Sequence, residues 1–299
     1  MRLPANLVIA ALACLPALAA QEAQTLARAD GSLIHYTIDR PAGPPTGLIV
    51  IAQGSGCLPG ATNTGIATVR AAFADYTAVV VEKIGITPGA RIAEGHVDCP
   101  KAFVDGYTIT QRVSDYVTVL EHLRESPELG ASRLVLYGGS EGGLAVARLA
   151  AELDPVATIV MSSGTGLSLE ELIKSTVPPE GHAMLDDGFA KARVSPDDST
   201  LFAGSSYRYW ADSLEQRVLD YMIASSSPFL LIQGGRDLSN PPHAARLAAD
   251  AFAEAGDCRL TYWEFPALDH SMLMPNRASK LGEVAQLAAE WVKDPLPAC

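Results

Sequence analysis

The 299-residue sequence is short of charge, and shortest of positive charge: 19% of residues are charged, with 22 Lys and Arg against 34 Asp and Glu, a formal net charge of −12. A surface with that balance repels polyanions, which argues against nucleic acid and anionic membranes as partners. Long hydrophobic runs are scarce. The one extended run, Leu7 to Leu18, is broken by Pro16 and falls short of the roughly 20 residues a spanning helix needs, so no stable membrane anchor is expected. Internal repeats, heptad arrays and low-complexity tracts are absent beyond alanine-rich stretches, which excludes solenoids and coiled coils.

What the N-terminus does contain is Met1-Arg2, that apolar run, and the small residues Ala17-Leu18-Ala19-Ala20. This is the pattern of a secretory signal peptide over 1–20, and it predicts an exported protein, periplasmic or secreted. Ala11-Leu12-Ala13-Cys14 resembles a lipobox only loosely, with leucine one position out of place. Removing 1–20 takes away Arg2 and no acid, and it leaves Cys57, Cys99, Cys258 and Cys299. An even number of cysteines suits an oxidising compartment.

The rest reads as one domain, 21–299. A hairpin over 24–40 turns at Asp30-Gly31. Apolar runs follow at Leu48–Ala52, Ala78–Val81, Leu134–Tyr137, Ala157–Met161, Phe229–Ile232 and Leu260–Phe265, with helical periodicity over roughly 62–74 and 108–124. Continuous apolar strands alternating with helices predict an α/β fold with a doubly wound, mostly parallel sheet. The spacing is regular except between Met161 and Phe229, where an inserted helical lid is expected at about 164–227. It holds a helix at Leu167–Val177 and the aromatic group Tyr207, Tyr209 and Trp210. Those rings are expected either to wall a substrate pocket or to pack the lid onto the core.

The strand Leu134–Tyr137 runs into Gly138-Gly139-Ser140-Glu141-Gly142-Gly143, and a helical segment follows. This is G-x-S-x-G in a strand–turn–helix setting, where small flanking residues let the backbone bend sharply and present the serine hydroxyl. Asp237 lies in a turn after the strand Phe229–Ile232, and His270 follows the last strand. The order Ser140, Asp237, His270 resembles the α/β-hydrolase superfamily. GGSEGG is also similar to elbows of exported bacterial serine esterases and of dienelactone-hydrolase-like and prolyl-oligopeptidase-like proteins.

The resemblance implies a serine hydrolase acting through an acyl-enzyme, with Ser140 as nucleophile, His270 as base and Asp237 orienting it. The other five histidines lie in the opening hairpin, on the amphipathic helix, in the insertion or in loops at other strand ends. Asp269, next to His270, reads as a solvated loop residue. The resemblance places the oxyanion hole at the backbone N–H of Glu141 and at Gly54 or Ser55, with Ser55 preferred. That loop departs from the usual His-Gly by opening with Gln53-Gly54. Cys57 with Cys99 and Cys258 with Cys299 are the preferred pairings, on the fold the resemblance implies. Other connectivities stay open.

No metal or organic cofactor is required, and the expected partner is a small-molecule ester or a short peptide. A carboxylesterase-type enzyme is the leading reading. Glu141 and acids of the insertion keep an aminopeptidase, or another amide or thioester hydrolase, as an alternative. Remoter readings are a nucleotide-binding oxidoreductase, from Gly54-Ser55-Gly56 with Glu82 as a ribose ligand, and a non-catalytic binding protein.

Overall fold

The computed structural model describes residues 21–126 and 133–295. The signal peptide expected at 1–20 and Cys299, with the pairing that depends on it, lie outside the described residues.

An antiparallel hairpin, β1 (Glu22–Ala27) and β2 (Leu33–Asp39), opens the domain. Gly31, with φ of 84°, makes its turn. Six parallel strands follow: β3 (Leu48–Ala52), β4 (Thr77–Val81), β5 (Leu134–Gly139), β6 (Ala157–Met161), β9 (Phe229–Gly234) and β10 (Leu260–Phe265). Together they form one eight-stranded sheet in the order β1-β2-β4-β3-β5-β6-β9-β10. This is the mostly parallel, doubly wound α/β sheet expected from the alternation of apolar runs and helices.

The apolar runs are continuous because both faces are covered. Leu48, Val50, Leu134, Leu136, Phe229 and Leu231 point into one core with α3 (Ile109–Arg124) and α4 (Glu141–Leu153). The alternate residues Ile49, Ile51, Val135, Tyr137, Leu230 and Ile232 point into the other, with α1 (Thr64–Ala72) and α10 (Leu281–Trp291). Helix α9 (Pro242–Glu254) joins β9 to β10. The stretch 85–106 contains the short helix α2 (Lys101–Gly106), started after Pro100.

Between β6 and β9 the chain leaves the sheet. It forms α5 (Leu169–Thr176), α6 (His182–Val194), a two-residue-stranded hairpin β7 (Leu201–Phe202) and β8 (Ser205–Ser206), then α7 (Tyr207–Ser213) and α8 (Val218–Ala224). A complete capping box at Ser168 and Glu171 starts α5. Among the described residues no helix is long and apolar enough to cross a membrane.

Candidate active site

Ser140 sits between the end of β5 and the first turn of α4 with φ 54° and ψ −126°, a conformation an ordinary side chain adopts only at a cost. Its surroundings hold it there. The Ser140 N–H donates to the Met161 carbonyl at 2.8 Å, and the Ser163 hydroxyl donates to the Ser140 carbonyl at 2.6 Å. The glycines are a steric requirement: a Cβ on Gly138 would sit 2.1 Å from the Gly142 carbonyl oxygen, and one on Gly142 would sit 2.2 Å from that of Ala52.

His270, in the loop after β10, lies with Nδ1 2.8 Å from Asp237 Oδ2. The Asp237 side chain is fully buried, and its Oδ1 accepts the N–H groups of Ser239 and Asn240 at 2.9 and 2.8 Å. A carboxylate so placed can only accept from Nδ1–H, which leaves Nε2 as the free basic nitrogen. Asp269 instead closes its own turn, accepting from Ser271 and Leu273. His270 and Ser140 line one cavity of about 240 Å³, together with Gln53, Gly54 and Asn63.

Ser140 also opens on its other side into a cavity of about 280 Å³. Ser55, Glu141 and Leu144 line it, as do the apolar Leu169, Leu172 and Ile173 from α5, Trp210 from α7 and Val218 from α8. Tyr209 and Trp210 line this cavity, and Tyr207 does not. It stands at the start of α7 with its ring against Phe202, 6.2 Å between centroids.

Glu141 has a place that sequence reasoning missed. Its carboxylate is buried, with Oε1 accepting from Lys83 Nζ at 2.9 Å, from Arg112 at 3.2 Å and from the Tyr107 hydroxyl. Oε2 accepts the Tyr209 hydroxyl at 2.9 Å. Burial pushes this carboxyl upward, but Lys83 and Arg112 outweigh it and bring it down to about 2. Burial likewise pushes the Lys83 ammonium down to about 8, against the attraction of Glu141. Glu141 is therefore a spent charge rather than an acid left open for a substrate amine.

Lys83 also donates to the carbonyls of Gly54 and Gly56 at 2.7 and 2.8 Å, and Arg112 to that of Gln53 at 2.7 Å. Glu82 takes the N–H groups of Gly60 and Ala61 at 2.7 and 2.8 Å. The acid that a dinucleotide reading would give to a ribose is thus consumed by the backbone. The only sequence signal for this network is a Glu-Lys pair ending an apolar strand. The loop is braced further by the Cys57–Cys99 disulfide. Arg208 pairs with Asp197 at the surface.

Residues 104–296 match the sequence profile of the prolyl oligopeptidase family. The chain belongs to that family. Solved structures related to this prolyl oligopeptidase family member share its α/β-hydrolase fold at low identity. Est1E from Butyrivibrio proteoclasticus with ferulic acid bound superposes with a TM-score of 0.63 at 17% identity, over 90% of this chain and 97% of that one. A Mycobacterium tuberculosis puromycin-hydrolyzing peptidase gives 0.62 at 18%, over 93% of this chain and 40% of that one. A Paleococcus ferrophilus monoacylglycerol lipase gives 0.59 at 18%, over 87% and 98%. No curated protein sequence matches the chain. Family and neighbours include esterases and peptidases, and the chain is a serine hydrolase by that kinship.

Proposed function

We propose that this serine hydrolase is an exported carboxylic-ester hydrolase that prefers uncharged, apolar acyl groups. Ser140 Oγ attacks the ester carbonyl while His270 Nε2 takes its proton, and Asp237 holds the imidazole in the tautomer that can do so. The N–H groups of Glu141 and Ser55, with Gly54 alongside, receive the developing oxyanion. Collapse of the tetrahedral intermediate breaks the bond to the alkoxy oxygen, which takes the proton back from His270. Water then enters by the same route and gives a proton to His270 as it attacks the acyl carbon, and collapse breaks the bond to Ser140 Oγ, which takes that proton back as the acid leaves.

His270 must protonate the leaving group, so the alcohol belongs in the cavity that His270 lines. The acyl chain then belongs in the other one, covered by the segment 164–227 acting as a lid. The observation that carries the ester reading is the charge state of that acyl cavity. Its ionisable lining is His96, Tyr209 and Glu141, and both Glu141 oxygens are already paired, so no free carboxylate waits for the amine of a peptide. The signal-like N-terminus and the Cys57–Cys99 disulfide support export.

The test compares p-nitrophenyl esters of increasing acyl length with aminoacyl anilides, for the wild type and Ser140→Ala. The wild type is expected to hydrolyse the esters and to be labelled by a fluorophosphonate, with both lost in the folded variant. Rapid anilide turnover with negligible ester turnover would replace this reading by an aminopeptidase.

A further inference from the structure

The two amide donors that the ester reading requires come from different parts of the chain, the loop after β3 and the first turn of α4. Two buried side chains touch both parts: Arg112, which bonds the Gln53 carbonyl and Glu141 Oε1, and Lys83, which takes more of the loop. Lys83, just beyond β4, has a fully buried side chain, and its Nζ reaches the carbonyls of Gly54 and Gly56 on the loop and Oε1 of Glu141 at the start of α4.

A peptide unit is planar and trans, so its C=O and the N–H that follows point in opposite directions. Fixing the Gly54 carbonyl on Lys83 turns the Ser55 N–H away from Lys83, and Ser55 lines the cavity that Ser140 also lines. The next pinned carbonyl behaves consistently: Gly56 bonds Lys83, and the Cys57 N–H points off to the Gly95 carbonyl at 2.7 Å. Gly56 has φ of 84°, and a Cβ on Gly54 would sit 3.3 Å from that of Ser140, so the loop packs closely against the nucleophile turn. The attachment to Glu141 fixes the loop's distance from the other donor.

We propose that Lys83 is a positioning residue that ties the two halves of the oxyanion hole together and aims the Ser55 amide at the reacting carbonyl. The inference rests on the ester-hydrolase reading of Ser140. Lys83 touches no substrate, and its effect is confined to the state in which the carbonyl oxygen carries charge.

The groups facing Lys83 are Glu141 from α4, Arg112 from α3, the Tyr107 ring at 4.7 Å, the Phe103 ring at 6.0 Å and its neighbour Glu82. Burial, with Arg112 adding to it, lets the ammonium lose its proton as pH rises through about 8. Above that pH a neutral amine can no longer hold two carbonyls and a carboxylate at once.

The experiment measures kcat, KM and the affinity of a trifluoromethyl ketone, which forms a charged hemiketal with the serine, for the wild type, Lys83→Met and Lys83→Arg. Lys83→Met is expected to lower kcat and ketone affinity together by about 100-fold while KM moves less than about threefold. Lys83→Arg keeps a cation at these pH values and is expected to restore most of kcat. Wild-type kcat is expected to fall through about pH 8, a limb that Lys83→Arg lacks.

A Lys83→Met enzyme within about threefold of wild type in kcat, or one that loses kcat with ketone affinity intact, overturns the proposal. Should Lys83→Met not fold, the wild-type profile decides, and a kcat flat through about pH 10 overturns it. A wild type that turns over no ester and resists the fluorophosphonate defeats the ester reading itself, which is a separate result.

Discussion

At the scale of single residues, the site depends on side chains that are missing as much as on those present. Gly142 packs its Cα against the backbone at the end of β3, with a hypothetical Cβ 2.2 Å from the Ala52 carbonyl and 2.7 Å from that of Gln53. Backbone cannot retreat as a flexible side chain can. Gly142→Ala is therefore expected to push α4 away from β3, widening the gap between the Glu141 amide and the oxyanion loop. Ester turnover should drop by at least about 100-fold, since displaced donors forfeit most of their stabilisation. Ser140 kinetics together with a melting curve check this, and an active, fully stable variant would show that the contact is dispensable. Such small residues were legible in the sequence because G-x-S-x-G has no other economical explanation in front of a helix. Lys83 and Arg112 were not. A buried lysine is spelled like a surface one, and the partners that bury this one, at 54, 56 and 141, are distant in sequence.

At the scale of elements, the central strands could be read directly because β3, β4 and most of β5 and β9 are buried on both faces, which demands unbroken apolar runs. The segment between β6 and β9 was legible only as an excess of chain with one helix. Of its other helices, α7 and α8 span seven residues each, too few for periodicity to establish itself, while the 13-residue α6 has only a weak apolar stripe. Only α5 announced itself, as the helix expected at Leu167–Val177. That helix places Leu172 and Ile173 on the cavity proposed for the acyl chain, and Ile173 is only partly buried. Ile173→Trp should shorten the chain the cavity accepts. The ratio of kcat/KM for an octanoate over an acetate ester is expected to fall by at least about tenfold, in line with the value of a few methylenes in an apolar pocket. An unchanged ratio would move the acyl chain to the cavity on the His270 side.

At the scale of the whole molecule, the question is why a protein of modest charge content keeps Lys83, Arg112 and Glu141 out of water together. Glu141, brought from its ordinary value to about 2, contributes about 3 kcal/mol of stability that is complete above about pH 4.5 and is lost as pH falls toward 2. Lys83 works in the opposite sense. Its lowered value means the folded protein holds fewer protons than the unfolded chain between about pH 8 and 10.5, so at neutral pH the buried ammonium costs about 3 kcal/mol, relieved only as pH rises through that window. Their mutual attraction enters both figures, so the two do not sum, and a buried ion pair of this kind commonly adds little net stability to a fold. A pair that does not stabilise the fold is expected to be removable together and damaging to remove singly. In urea unfolding at pH 7, Lys83→Met and Glu141→Gln should each cost about 3 kcal/mol or more, because each leaves its former partner buried and unmatched. The double variant, which keeps the net charge of the cluster through Arg112, should lie within about 2 kcal/mol of wild type and lose less stability between pH 4.5 and 2. It should nevertheless remain catalytically crippled, since neither carbonyl of the oxyanion loop regains a cation. A double variant as unstable as the sum of its parts would mean that the cluster holds the fold rather than the geometry of the oxyanion hole.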